Sequence, residues 1–281
     1  MCCDKERIHT GCLIESKSMD IRNLTEQVKV IALEVGKYLQ DECKKFDRSR
    51  VEKKSAHDYV SYVDKNSEQQ IVDRLKMLLP EAGFIAEEGS GGHEEKELLW
   101  LVDPLDGTAN FIHDNAPYCI SIALRNRHEV LLGVVYECCR NELFWAYKGS
   151  KAYMNDEEIH VSSVDILADS FLELGFPHNS NAYRSTAVDL VNRLYGRVGG
   201  LRLMGAAAAE LCYVACGRFE GRIEGLLGPW DIAAGSLILQ QAGGVVTDFR
   251  GGADFYSGRE VLATNGKIHS QLLEIVREMQ F

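Results

Sequence analysis

Five consecutive apolar residues, Leu98 to Val102, run directly into Asp103-Pro-Leu-Asp106-Gly-Thr108. An uninterrupted apolar run of this length, bounded by turn residues, reads as a buried strand rather than a half-exposed one. Pro104 fixes one backbone angle and Gly107 permits a tight turn. Asp103 and Asp106 therefore project the same way from a strand-to-helix corner, and Thr108 falls near a helix N-terminus, where free N–H groups favour a phosphate oxygen. Unpaired carboxylates buried at such a corner are costly, so this segment constrains both the fold and what the chain can bind.

Two further segments share the pattern. Phe84-Ile-Ala-Glu87-Glu88 reads as a strand end, and Pro229-Trp-Asp231 opens a nearly wholly apolar helix. If Glu87, Asp103, Asp106 and Asp231 converge, each pair at about 4 Å repels by about 4 kcal/mol at an effective dielectric near 20. Shared protons or hard divalent cations relieve that repulsion. An all-oxygen set lacking His and Cys suits Mg²⁺ rather than zinc, and metals about 3.5 to 4 Å apart serve an in-line phosphoryl displacement.

Around these segments the chain alternates helix and strand. Leu24, Val28, Ile31, Val35 and Leu39 recur at three- and four-residue steps, which predicts an amphipathic helix over 24–44. Asp58 to Asp64 reads as a short extended run, leading to a second helix from about Ser67 to Leu79 that stops at Pro80. Tyr118–Arg125, Val130–Tyr136 and Leu143–Tyr147 read as an antiparallel meander. Later strands are expected at Phe171–Gly175, Phe219–Glu224 and Val245–Thr247. Helices are expected near 182–195, 206–216 and 231–241, and after Gly266. The mixture points to a layered α/β architecture rather than a simple Rossmann repeat. Residues 1–18 are polar, rich in Cys and His and without periodicity, and are expected to form a loose or non-native extension. Residues 19–281 then form one domain with lobes of about 19–153 and 154–281.

Lys and Arg number 31 against 42 Asp and Glu, a formal charge of −11. That balance opposes a sequence-independent phosphate-backbone binder, so nucleic acid is not the expected partner. An anionic substrate would instead need cations or a local positive pocket to reverse the field. The nine cysteines include no CxxC pair, and no apolar run reaches the ~18 residues of a membrane helix. The expectation is a soluble, cytoplasmic protein with reduced cysteines.

Trp100-Leu-Val-Asp-Pro-Leu-Asp-Gly-Thr-Ala-Asn-Phe-Ile-His113 closely resembles the first signature of the inositol monophosphatase family, and Trp230-Asp-Ile-Ala-Ala-Gly235 followed by Ala242-Gly-Gly244 resembles the second. The resemblance spans about Met19 to Phe281. It implies a mixed α/β (α+β), layered αβαβα sugar-phosphatase fold, usually homodimeric, with two or three Mg²⁺ per active site. It also implies that Glu87, Asp103 and the Leu105 carbonyl hold one Mg²⁺, that Asp103, Asp106 and Asp231 hold a second, and that Glu87 helps a weaker third. Asp64 matches the family's acid that, with Thr108, orients and deprotonates the attacking water. Gly107 and Thr108 match the groups that offer N–H donors to the phosphate.

For the alcohol half of a substrate, Glu224 matches the acid that accepts from sugar or inositol hydroxyls; its alternative is a strand-end surface Glu. Gly205, Ala206 and Ala207 resemble a small-residue helix start that lets the ring approach, and Lys53 resembles a basic loop residue near the third metal. Plain packing and a solvated charge are the respective alternatives. His113 and His178 are expected in the core or behind the site rather than on metal, with Trp100 and Trp230 packed beside it.

The implied activity is Mg²⁺-dependent hydrolysis of inositol 1-phosphate, with lithium sensitivity. Fructose 1,6-bisphosphate, NADP or 3′-phosphoadenosine 5′-phosphate are the alternative substrates, and a non-catalytic regulatory binding protein is the alternative of another class. Ala109-Asn110-Phe111 favours the inositol branch over the Lys-Glu-Phe ending typical of the 3′-phosphoadenosine 5′-phosphate branch.

Overall fold

The structure is a computed structural model that describes residues 19–47, 49, 51–55, 58–90, 92, 96–176, 183–258 and 260–279. The segment 1–18 and His178 lie outside the described residues.

Helix α1 (Ile21–Cys43) starts where the Asp20 carboxylate caps the Asn23 N–H at 3.0 Å. A short hairpin of β1 (Glu52–Ser55) and β2 (Asp58–Val60) leads to α2 (Tyr62–Leu78). This helix begins one turn earlier than its apolar period suggests, so Asp64 sits inside the first turn rather than on an extended run. A capping box is the reason: Ser61 Oγ accepts from Val63 N–H, and Asp64 accepts from Ser61 N–H at 2.8 Å.

Strands β3 (Gly83–Ala86), β4 (Leu99–Asp106), β5 (Cys119–Arg125), β6 (Val130–Glu137), β7 (Glu142–Tyr147), β8 (Ala152–Met154) and β9 (Glu157–Ile159) form one sheet in sequence order. β3 and β4 pair in parallel and the other neighbours are antiparallel. Side chains alternate along the middle of the strands. Trp100, Val102, Ile120, Ile122, Leu132 and Val134 meet α1 and α2, whereas Leu101, Cys119, Ala123 and Val135 face the opposite layer.

That opposite layer holds α5 (Ala207–Ala215) and α6 (Pro229–Gln241). Beyond it lies a second sheet in the order β11 (Gly200–Arg202), β10 (Phe171–Leu174), β12 (Gly221–Gly225), β14 (Glu260–Thr264), β13 (Val245–Thr247). Strand β14 had no counterpart in the sequence reading. Its Val261 and Ala263 pack inward with α5 and α6, and Leu262 packs outward with Leu172, Leu174 and Ile223 against α4 (Arg184–Leu194) and α7 (His269–Val276). The layers therefore run α/β/α/β/α. Helix α6 is apolar all round because both of its flanks are sheets. At Gly133 of β6 the sheet meets it so closely that a Cβ would fall 2.7 Å from the Ala234 carbonyl oxygen.

Candidate active site

A cleft of about 750 Å³ opens where the C-terminal end of β4 meets the starts of α5 and α6. Glu87, Asp103, Leu105, Asp106, Gly107, Thr108, Gly205, Ala206, Ala207, Glu224 and Asp231 all line it. Every expected metal position thus reaches one cavity.

Three of the carboxylates are oriented by backbone donors. Asp103 Oδ1 accepts from Leu105 N–H at 2.9 Å, which turns the chain through Pro104. Asp106 spans the first turn of α5, Oδ1 accepting from Ala207 N–H at 3.1 Å and Oδ2 from Ala208 N–H at 2.7 Å. Asp231 is the third residue of α6 and accepts from Gly228 N–H at 2.7 Å. Gly107 between them holds φ 90°, and a Cβ there would sit 2.9 Å from the Pro117 carbonyl oxygen. Only glycine fits that corner.

The electrostatics are strained. Burial pushes Asp103 well above the usual carboxylate range, and the neighbouring charges of Glu87, Asp106 and Asp231 push it further. Asp231 is raised likewise, by burial and then by Asp106 and Glu87. Burial also lifts Asp106, to about 6, although the Ala208 N–H pulls the other way. Across the described wall the sole cation is Arg222, and its guanidinium is already engaged by Glu210 and Glu224.

Asp64 is buried beneath this group. Its Oδ2 accepts from the Ser61 backbone and hydroxyl, leaving Oδ1 3.0 Å from the Thr108 hydroxyl. The same hydroxyl lies 3.0 Å from the Leu105 carbonyl oxygen.

Among the described residues no three His, Cys, Asp or Glu side chains close around a single point. Their oxygens are turned onto N–H groups instead, and Asp103 Oδ2 and Asp231 Oδ1 have no hydrogen-bond partner among the described residues. The donor set nevertheless fits Mg²⁺ in its chemistry: hard anionic oxygens, mutually repelling, on a wall with no spare cation.

Several expectations shift. Trp100 faces α1 and α2 rather than the site, because it alternates with Leu101 along β4; Trp230 does line the cleft. His113 is exposed at the end of α3 (Thr108–Ile112), and Lys53 lies in β1 opposite Tyr59. Helix α3 is only five residues long, so it offers unpaired first-turn N–H groups rather than a substantial dipole.

The sequence reading missed three supporting residues, Glu68, Glu210 and Arg222. Buried Glu68 of α2 accepts from Glu88 N–H and Ser90 N–H, both at 2.7 Å, and so clamps the turn that carries Glu87. Glu210 Oε1 accepts from Gly205 N–H at 2.6 Å and Ala206 N–H at 3.1 Å, while its Oε2 takes Arg222 Nε at 2.6 Å. Glu68 is the seventh residue of α2 and Glu210 the fourth of α5, and a Glu inside a helix carries no distinguishing sequence signal.

Residues 20–280 match the sequence model of the inositol monophosphatase family. The chain belongs to that family. An inositol-1-monophosphatase of Mesorhizobium japonicum is 36% identical over 88% of this chain and 93% of its own length. A putative Nus factor SuhB of Neisseria meningitidis serogroup B is 38% identical over 82% and 88%. The solved IMPase of Thermotoga maritima superposes with a TM-score of 0.82 at 33% identity, covering 92% of this chain and 97% of that one. The inositol monophosphatase fold of this chain is thus shown by sequence and by structure, and its relatives support a phosphatase.

Proposed function

We propose that this inositol monophosphatase family member hydrolyses a small phosphate monoester, inositol 1-phosphate foremost, with Mg²⁺ held by Glu87, Asp103, Asp106, Asp231 and the Leu105 carbonyl. The observation that carries the proposal is the convergence of four mutually repelling carboxylates on one cleft whose only described cation is already paired. When bound, Mg²⁺ supplies charge neutralisation for the phosphate, a lowered pKa for the attacking water and stabilisation of the leaving oxygen.

The remaining roles belong to the chain. Asp64, fixed by Ser61, accepts the Thr108 hydroxyl proton. The Thr108 oxygen is then left to accept from water, which aims the water's own lone pair at phosphorus. Gly107 and Thr108 offer first-turn N–H groups to the phosphate. Cys119, the thiol nearest this group, is fully buried and held protonated, so a covalent phosphoenzyme is not part of this reading.

A panel of phosphate esters with and without Mg²⁺ tests the proposal. Mg²⁺-dependent release from inositol 1-phosphate is expected. Preference for NADP, fructose 1,6-bisphosphate or 3′-phosphoadenosine 5′-phosphate would reassign the substrate, and no release from any ester would refute the reading. The names of the SuhB relatives raise a regulatory role as the second reading, but an idle site has no use for four mutually repelling carboxylates. A homodimer, lithium inhibition and a cytoplasmic location complete the proposal. In support of the last, the described cysteines are all free, and no described helix is long and apolar enough to cross a membrane.

A further inference from the structure

Opposite the metal-binding carboxylates, the inner face of the second sheet carries charge where a packed layer normally carries apolar side chains. Alternation along β10 and β12 sends Leu172, Leu174 and Ile223 outward, and so sends Glu173, Arg222 and Glu224 inward, toward α5. Arg222 is 1% exposed. Its Nε donates to Glu210 Oε2 at 2.6 Å and its Nη2 donates to Glu224 Oε2. Glu210 in turn holds the Gly205 and Ala206 N–H groups. One guanidinium thus ties the loop on one wall of the cleft to the carboxylate on the other.

Glycine 175 completes the arrangement. It continues from β10, its N–H donating to the Ile223 carbonyl at 2.9 Å, and the Glu224 carboxyl group lies over it so closely that any Cβ would land inside that group. Glu224 is therefore gripped on Oε2 and seated on a position without a side chain. Its Oε1 has no hydrogen-bond partner among the described residues, and the residue lines the cleft.

We propose that Arg222 and Gly175 are positioning residues that fix Glu224 so that one carboxylate oxygen accepts from hydroxyl groups on the alcohol half of the substrate, making this end of the cleft selective for polyol esters. The inference rests on the phosphatase reading above and adds to it the residues that set selectivity. A free surface glutamate loses side-chain entropy on accepting a hydroxyl; a carboxylate already held on one oxygen does not, and a displaced one leaves the hydroxyl unpaired.

Steady-state kinetics of the full chain with Mg²⁺, on inositol 1-phosphate and on phenyl phosphate, which has no hydroxyl groups, test the idea. The readout is the ratio of kcat/KM between the two esters. Arg222→Met and Gly175→Ala should each lower that ratio about tenfold through KM for inositol 1-phosphate, the worth of roughly one charged hydrogen bond. Arg222→Lys should recover part of it. Gly175→Ala and Glu224→Gln keep the buried guanidinium paired with Glu210, so they report even if Arg222→Met fails to fold. In a Glu224→Gln background, adding Gly175→Ala should change the ratio no further. A ratio that stays at the wild-type value in Gly175→Ala, or an equal loss on both esters, would overturn the inference while leaving the phosphatase reading intact. A wild type that turns over neither ester would overturn both.

Discussion

Glu173 offers a direct measure of the electrostatics behind the cleft. It is fully buried and neither carboxyl oxygen finds a hydrogen-bond partner; Arg222, its cross-strand neighbour, gives Nε to Glu210 and Nη2 to Glu224, and its Nη1 has no partner among the described residues. Burial, with the Glu210 charge adding to it, pushes Glu173 from its ordinary 4.5 up to about 10. At pH 7 the folded chain thus holds this carboxyl protonated while the unfolded chain ionises it. The cost is the free energy of protonating it about 2.5 pH units above its ordinary value, about 3 kcal/mol at roughly 1.4 kcal/mol per pH unit. The figure does not depend on the exact folded value so long as that stays above about 8. Because the folded value is the higher one, this stability is complete below pH 4.5 and drains away as pH rises toward 10.

Glu173→Gln removes the ionisation and keeps the shape of the neutral acid. The variant should match wild type near pH 4.5, exceed it by about 1 kcal/mol at pH 5.5, and exceed it by about 3 kcal/mol at pH 7. Urea denaturation of both chains at pH 5.5, 7 and 8 measures the widening gap directly. The reasoning fails if the gap is the same at all three values. It fails more sharply if the variant is the weaker protein at pH 8, because that would mean Glu173 is ionised and holds Arg222.

Asp103→Asn should reduce turnover by orders of magnitude and raise the melting temperature of the metal-free chain, since it deletes the most crowded of the repelling charges; it should also shrink the stabilisation that Mg²⁺ gives wild type, read by thermal shift. Removing divalent ions with a chelator should abolish activity, and restoring Mg²⁺ should recover it, while lithium at millimolar levels inhibits. Glu68→Ala should weaken Mg²⁺ binding about tenfold or more without touching the cleft, because it frees the Glu88 and Ser90 N–H groups that fix the Glu87 turn; isothermal titration separates this from loss of folding. Gly133→Ala should cost about 1 to 3 kcal/mol in urea, since its methyl group would press on the Ala234 backbone of α6.

The site was largely legible because its acids sit at local punctuation: apolar runs that stop on a carboxylate, a Pro, a Gly, a helix start. Asp103, Asp106 and Asp231 each take their orienting hydrogen bond from a backbone segment that follows or precedes in an obvious turn or helix. Asp64 was found but misplaced, since alternation around Tyr59 to Val63 imitates a strand and the Ser61-to-Asp64 capping box outweighs it. Glu173, Arg222, Gly175 and Glu210 could not be picked out, because they become neighbours only through the register of β10 against β12 and the packing of α5 across them. Strand β14 escaped for a related reason: its pairing partners, β12 and β13, lie earlier in the chain and its apolar run is short.

Helix α6 has a consequence for how such a protein can be cut or recombined. It contacts both sheets, and its third residue is Asp231, whereas Asp103 and Asp106 come from the first sheet and Glu224 from the second. No contiguous half of the chain carries the whole proposed ligand set. On the proposed ligand set, a crossover or a nick between β9 and β10 separates acids that would act only together, so neither half should be catalytic alone.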